Sequence, residues 1–257
     1  MSLLEIKKLT KNFGGLSAVS MVDMTFEKNE LVGLIGPNGA GKTTLFNLLT
    51  GVYVPSEGTI TLDTDKGPVV LNQKSPHQIS DLGLTRTFQN IRLFHELSVL
   101  DNVKIAMHSK KGVSLWHSLC RTSKYYQNEK ELSEQALELL TLFNLQDKQD
   151  VLSKHLSYGE QRRLEIVRAL ATNPRILFLD EPAAGMNPQE TAELTELIHK
   201  IQQDFNITVV LIEHDMSLVM SICQRIYVLE YGRLLAHGTP DEIKQNKAVI
   251  KAYLGGE

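Results

Sequence analysis

The chain has 257 residues, 42% hydrophobic and 22% charged, enough apolar content to fill a globular core. Its formal net charge of −3 offers no basic excess for coating nucleic acid, and two widely separated cysteines, Cys120 and Cys223, exclude a disulfide scaffold or a Cys-rich zinc site. No apolar run approaches the ~18–20 residues that cross a bilayer, and the opening Met-Ser-Leu-Leu-Glu lacks a signal-peptide pattern, so a cytosolic chain without a membrane span is expected.

In chain order, the alternation in Leu4-Glu5-Ile6-Lys7 predicts a half-exposed antiparallel strand, and Thr59-Ile60-Thr61-Leu62 predicts another. Residues 31–35 form a short run rich in Leu, Val and Ile, read as a buried strand. A helix follows Gly41 and stops at Gly51, a C′ glycine. From about Asn90 to His155 strand patterns are missing, and Leu132, Ala136, Leu139, Leu140 and Phe143 mark one side of a helix, which predicts an inserted helical subdomain. Buried strands return at residues 176–179, 208–212 and 226–229, with a helix between the first two carrying Leu194, Leu197, Ile198, Ile201 and Phe205 on one face. Thr239-Pro240-Asp241-Glu242 joins a capping box to a proline at the first helical position and opens a last helix. Strands alternating with helices predict an α/β core with a parallel sheet covered on both faces.

Chemistry concentrates at a few points. Gly36-Pro37-Asn38-Gly39-Ala40-Gly41-Lys42-Thr43 has the P-loop pattern and stands between a predicted strand and a predicted helix, as that pattern requires. Glycines let the backbone wrap a phosphate, and the helix N-terminus supplies N–H donors and a favourable dipole. Lys42 suits the β- and γ-phosphates of ATP, Thr43 suits Mg²⁺, and Thr44 continues the cradle. Asp180 and Glu181 end an apolar strand, the edge where open α/β sheets bind ligands. Asp180 fits an acid that holds Mg²⁺, and Glu181 a group that orients or deprotonates the attacking water. Ser157 forms a capping box with Glu160, a helix start that is itself a phosphate-binding device.

With these residues in view, Leu156-Ser157-Tyr158-Gly159-Glu160-Gln161 resembles the signature segment of ABC ATPases, lying upstream of the Asp-Glu strand as in that family. The resemblance spans essentially the whole chain and implies one ABC ATPase domain over residues 1–257. Residues 1–89 and 156–257 would form the P-loop NTPase α/β core with an antiparallel β-subdomain, and residues 90–155 the helical subdomain. It implies that Phe13 stacks on adenine, that Gln89 touches Mg²⁺ and the water, and that His214 is the switch histidine at the γ-phosphate. It implies a second ATPase subunit, identical or homologous, whose Ser157 and Gly159 contact the nucleotide held by the first. It also implies separate integral membrane permease subunits, met near residues 92–103 with Phe94 and Leu97 in a groove, and a place on the inner face of the cell membrane. Two positions depart from the family pattern: Tyr158 stands where Gly is usual, and Asn187 where Asp is common. Residues 86–94, 158–187 and 228–243 are similar to the ATPases of branched-chain amino-acid importers; the ATPase of a lipopolysaccharide exporter is the runner-up. DNA-acting relatives would carry a long coiled coil, translation-factor types a second P-loop, and neither is found in this sequence.

Overall fold

The computed structural model describes residues 2–108 and 123–254; Cys120 lies outside them. The strands are β1 Leu4–Phe13, β2 Leu16–Phe26, β3 Leu31–Ile35, β4 Glu57–Thr64, β5 Gly67–Val70, β6 Leu84–Arg86, β7 Ile176–Asp180, β8 Thr208–Ile212, β9 Arg225–Glu230 and β10 Arg233–Gly238. The helices are α1 Lys42–Leu49, α2 Pro76–Asp81, α3 Val99–His108, α4 Ser123–Leu142, α5 Tyr158–Ala171, α6 Pro188–Asp204, α7 Met216–Ile222, α8 Pro240–Gln245 and α9 Lys247–Leu254.

A six-stranded sheet in the order β10-β9-β3-β8-β7-β6 is the centre of the molecule. Its inner strands are parallel, as their unbroken apolar runs predict, but the edge strand β10 returns antiparallel to β9 through a tight turn at Tyr231 and Gly232. Successive side chains leave a strand on opposite faces, so each short run feeds two cores. Leu177, Leu179, Val209 and Leu211 pack into one core with α5, α6 and α7 and with the helices between residues 90 and 155. Ile176, Phe178, Val210 and Ile212 pack into the other with α1 and a four-stranded sheet ordered β2-β1-β4-β5. In that second sheet the two strands expected from alternation pair directly and antiparallel, Leu4 opposite Leu62 and Ile6 opposite Ile60.

Phe178 illustrates the packing: it is fully buried and meets Phe46 of α1 edge-on at 5.2 Å between ring centroids. Phe178→Ala should lower stability by about 3–5 kcal/mol, transfer and cavity terms together. An unchanged midpoint in urea would show that this face of the sheet is not packed as described.

Because β3, β6, β7 and β8 run the same way, their carboxyl ends share one edge of the sheet. The chain leaves that edge at Gly36, Thr87, Glu181 and Glu213, and the candidate site is built there. Among the described residues no helix is long and apolar enough to cross a membrane.

Candidate active site

β3 delivers the chain to Gly36, and α1 begins six residues later with Gly41 as its N-cap in the left-handed conformation, φ 99°. A Cβ on Gly36 would lie 2.2 Å from the Leu229 carbonyl oxygen, and one on Gly41 2.6 Å from that of Ala18, so only glycine lets the loop lie this close to its neighbours. Whereas Ser157, Asn187 and Thr239 cap their helices with side-chain oxygens, α1 has no side-chain cap and no acid in its first turn. Its opening amides are therefore left without a side-chain acceptor at the positive end of the dipole, a setting that favours an anion. Lys42 is 6% exposed and folds back, Nζ donating to the carbonyls of Gly36 (2.6 Å) and Pro37 (3.1 Å). Burial holds its pKa below the usual lysine value, opposed by the negative charges of Glu181 and Asp180. The resulting cleft, about 460 Å³, is lined by residues 38–44 with Gln89, Glu181 and His214, and by Leu16 and Tyr231.

Asp180, the last residue of β7, is buried in an ion pair with Arg86 Nη2 at 2.6 Å. Arg86 also donates from Nη1 to Asn47 Oδ1 at 2.5 Å, and its guanidinium lies against the rings of Phe46 and Phe88. An acid at this depth would otherwise be a buried uncompensated charge, which is strongly unfavourable. Glu181 follows in the left-handed region at φ 48°, uncommon for a residue with a side chain and typical of functional turns. Its N–H donates to Ile212 O at 2.9 Å and its carbonyl accepts from Ala184 N and Arg162 Nη2, which hold the turn. The Glu181 carboxylate is thereby presented to two partners, Gln89 Nε2 at 3.1 Å and His214 Nε2 at 2.8 Å. Beneath it, buried Glu213 accepts from Ala183 N (2.8 Å) and His214 N (3.1 Å), joining the turns after β7 and β8. Burial raises its pKa, while those same N–H donors lower it.

The model of the ABC transporter family matches residues 19–184, a span that includes the cradle, Gln89, the start of α5 and both carboxylates. The chain belongs to the ABC transporter family. A second model, the branched-chain amino acid ATP-binding cassette transporter family, matches residues 233–257 of this ABC protein. Across 98% of both chains the cassette is 47% identical to the high-affinity branched-chain amino acid transport ATP-binding protein BraF of Pseudomonas aeruginosa. It is 33% identical to the lipopolysaccharide export system ATP-binding protein LptB of Escherichia coli, over 99% of this chain and 98% of that one. Among solved structures, the ADP conformation of MJ1267, an ATP-binding cassette of an ABC transporter, superposes over the full length of both chains with a TM-score of 0.84 at 29% identity.

The ABC fold brings most of the expected site residues to one place. Residues 38–44, Gln89, Glu181 and His214 line one cleft; Gly36 and Pro37 close its base through the Lys42 bonds; and Asp180 lies behind. Phe13 is not among the lining residues: it ends β1 half-exposed, edge-on to Tyr53 at 5.3 Å, while Leu16, its cross-strand neighbour, faces the cleft. Ser157 and Gly159 also lie away from it, at the start of α5, where Ser157 and Glu160 complete the expected capping box. Asn187 caps the start of α6, its Oδ1 accepting from Glu190 N at 2.9 Å. Thr43 and Gln89 bring a hydroxyl and an amide oxygen to the cleft, and Asp180 holds a carboxylate behind it, hard donors of the kind that suit Mg²⁺. Among the described residues no group of three or more His, Cys, Asp or Glu side chains forms an all-protein cage. Sequence reasoning missed Arg86, Arg162, Glu213 and the Tyr231–Gly232 turn.

Proposed function

We propose that the chain is the Mg²⁺-dependent, ATP-hydrolysing subunit of an importer of branched-chain amino acids, held at the cytoplasmic face of the membrane by separate permease subunits. The observation that carries the catalytic reading is the Glu181 carboxylate, set between Gln89 and His214 at the mouth of the Gly36–Thr44 cradle. Lys42 leaves its two carbonyl partners to meet the β- and γ-phosphates, a far better counter-charge. Glu181 receives the proton of the attacking water, which Gln89 orients, while His214 holds the carboxylate and faces the γ-phosphate. Thr43, Asp180 and Gln89 would hold Mg²⁺, which would neutralise phosphate charge when bound. Arg86 keeps the Asp180 carboxylate in place for that role.

Two ATPase subunits, identical or homologous, pair head to tail, so that Ser157 and Gly159 of each reach the nucleotide of the other. The described residues between 90 and 155, with 109–122 lying outside them, act as the helical subdomain that carries closure to the permease, with half-exposed Phe94 beside the groove it meets. The choice of substrate rests on the relatives: identity to the branched-chain amino acid protein is well above that to the lipopolysaccharide export protein, and the match at residues 233–257 agrees with it. Deleting the gene in cells without a second leucine system should abolish uptake of labelled leucine at low concentration and spare an unrelated solute. Undiminished leucine uptake would remove the substrate and leave the ATPase untouched.

A further inference from the structure

Arg162 is fully buried, and Glu165, one turn further along α5, is 5% exposed. Two buried charges joined at 2.9 Å are weak evidence for stability, because an apolar pair of similar volume usually serves as well. What an apolar pair cannot do is bond backbone. Arg162 Nη1 donates to Phe88 O at 2.7 Å, and Nη2 donates to Gln89 O at 2.9 Å and to Glu181 O at 3.3 Å. The second oxygen of Glu165 accepts from Phe88 N and Arg92 N, both at 3.3 Å. Residues 87–94 belong to no helix or strand, so the polar backbone groups they bury need partners from elsewhere. Four of those groups find them on this one pair, and Arg168, on the same helix, donates to the carbonyl of Arg92.

We propose that the Arg162–Glu165 pair is a positioning device for Gln89: it grips residues 88–92 by both donors and acceptors and sets where the Gln89 amide meets Glu181. The proposal rests on the reading of Gln89 and Glu181 given above. One guanidinium spans three parts of the site, since it ties the helix that begins at Ser157 to the Gln89 loop and to the Glu181 turn. A tilt of α5 then moves Gln89 and the Glu181 backbone together, whereas the cradle that binds nucleotide is untouched by the pair.

The test compares full-length chains. Arg162→Met with Glu165→Met removes both charges together, so no unpaired charge is left behind. Arg162→Lys keeps the charge opposite Glu165 but replaces a planar fork with one ammonium, whose three N–H donors face four acceptors and lack the spread of the guanidinium. Both are expected to keep KM for ATP within about twofold while kcat falls, by about 10- to 100-fold for the double variant, because misplacement of a reacting group acts on turnover rather than on ground-state binding. Combined with Gln89→Ala, either set should add little further loss, since both act through the same amide. If the double variant does not fold, Arg162→Lys decides alone. Parental kcat in a folded variant overturns the proposal, as does a loss that multiplies with that of Gln89→Ala. Parental turnover in Gln89→Ala by itself strikes instead at the reading of Gln89, and the proposal goes with it.

Discussion

Glu181→Gln should bind ATP as tightly as the parent chain and hydrolyse it about 10²–10⁴-fold more slowly, the usual weight of a general base. The change is nearly isosteric. A glutamine side chain can still meet Gln89 and His214 at the distances found for the carboxylate, so the cleft should keep its shape. What disappears is the capacity to take a proton and one negative charge beside the phosphate cradle. Losing that charge favours retention of ATP, and the variant is expected to accumulate as a closed dimer with ATP and Mg²⁺, seen as an earlier peak in sizing chromatography. Two measurements suffice, steady-state turnover and elution volume. Hydrolysis near the parental rate would assign the proton to another group, and His214 would be the first to examine.

Mixing two inactive chains should restore activity. Lys42→Ala removes the phosphate cation, and Ser157→Arg blocks the capped start of α5. Neither Ser157 nor Gly159 lines the cleft of its own chain, so each lesion damages different sites within a head-to-tail pair. A mixed dimer then carries one site with both lesions and one with neither. Random pairing makes half of the dimers mixed, so recovery of about a quarter of parental activity is expected if the two sites work independently. No recovery, with mixed dimers shown to form, would mean that each chain completes its own site or that both sites must fire together; sites reconstructed in a linked dimer separate these two outcomes.

Much of this architecture was legible from the chain because its elements are locally explicit. The runs at residues 31–35, 176–179 and 208–212 are too apolar to be anything but buried, and their short length with helices between them specifies a parallel sheet. The cradle is similarly explicit, because its glycines answer to a backbone requirement that Gly36 and Gly41 meet at close contacts. What stayed hidden depends on groups far apart in sequence. Strand β6 is three residues long and carries no period, so nothing local marked Arg86 as the partner of Asp180. Arg162 and Glu165 read as ordinary charges on a helix, since a sequence does not say that the loop at residues 88–92 will fold over them. Phe13 was marked by its type and position at the end of β1, where the structure leaves it half-exposed and edge-on to Tyr53, a neighbour that no local pattern announces.

The double packing of β7 has a consequence for motion. Its residues alternate between two separate cores and its backbone is bonded on both sides, by β6 and β8. Amides with that degree of cover open only when most of the molecule does, so the mount of Asp180 belongs to the slowest-exchanging part of the chain. Gln89 and His214 project from irregular segments at the sheet edge, drawn from the faster end of the same scale. Asp180 is thus a fixed anvil, and the geometry of the site is decided by the segments that come down upon it.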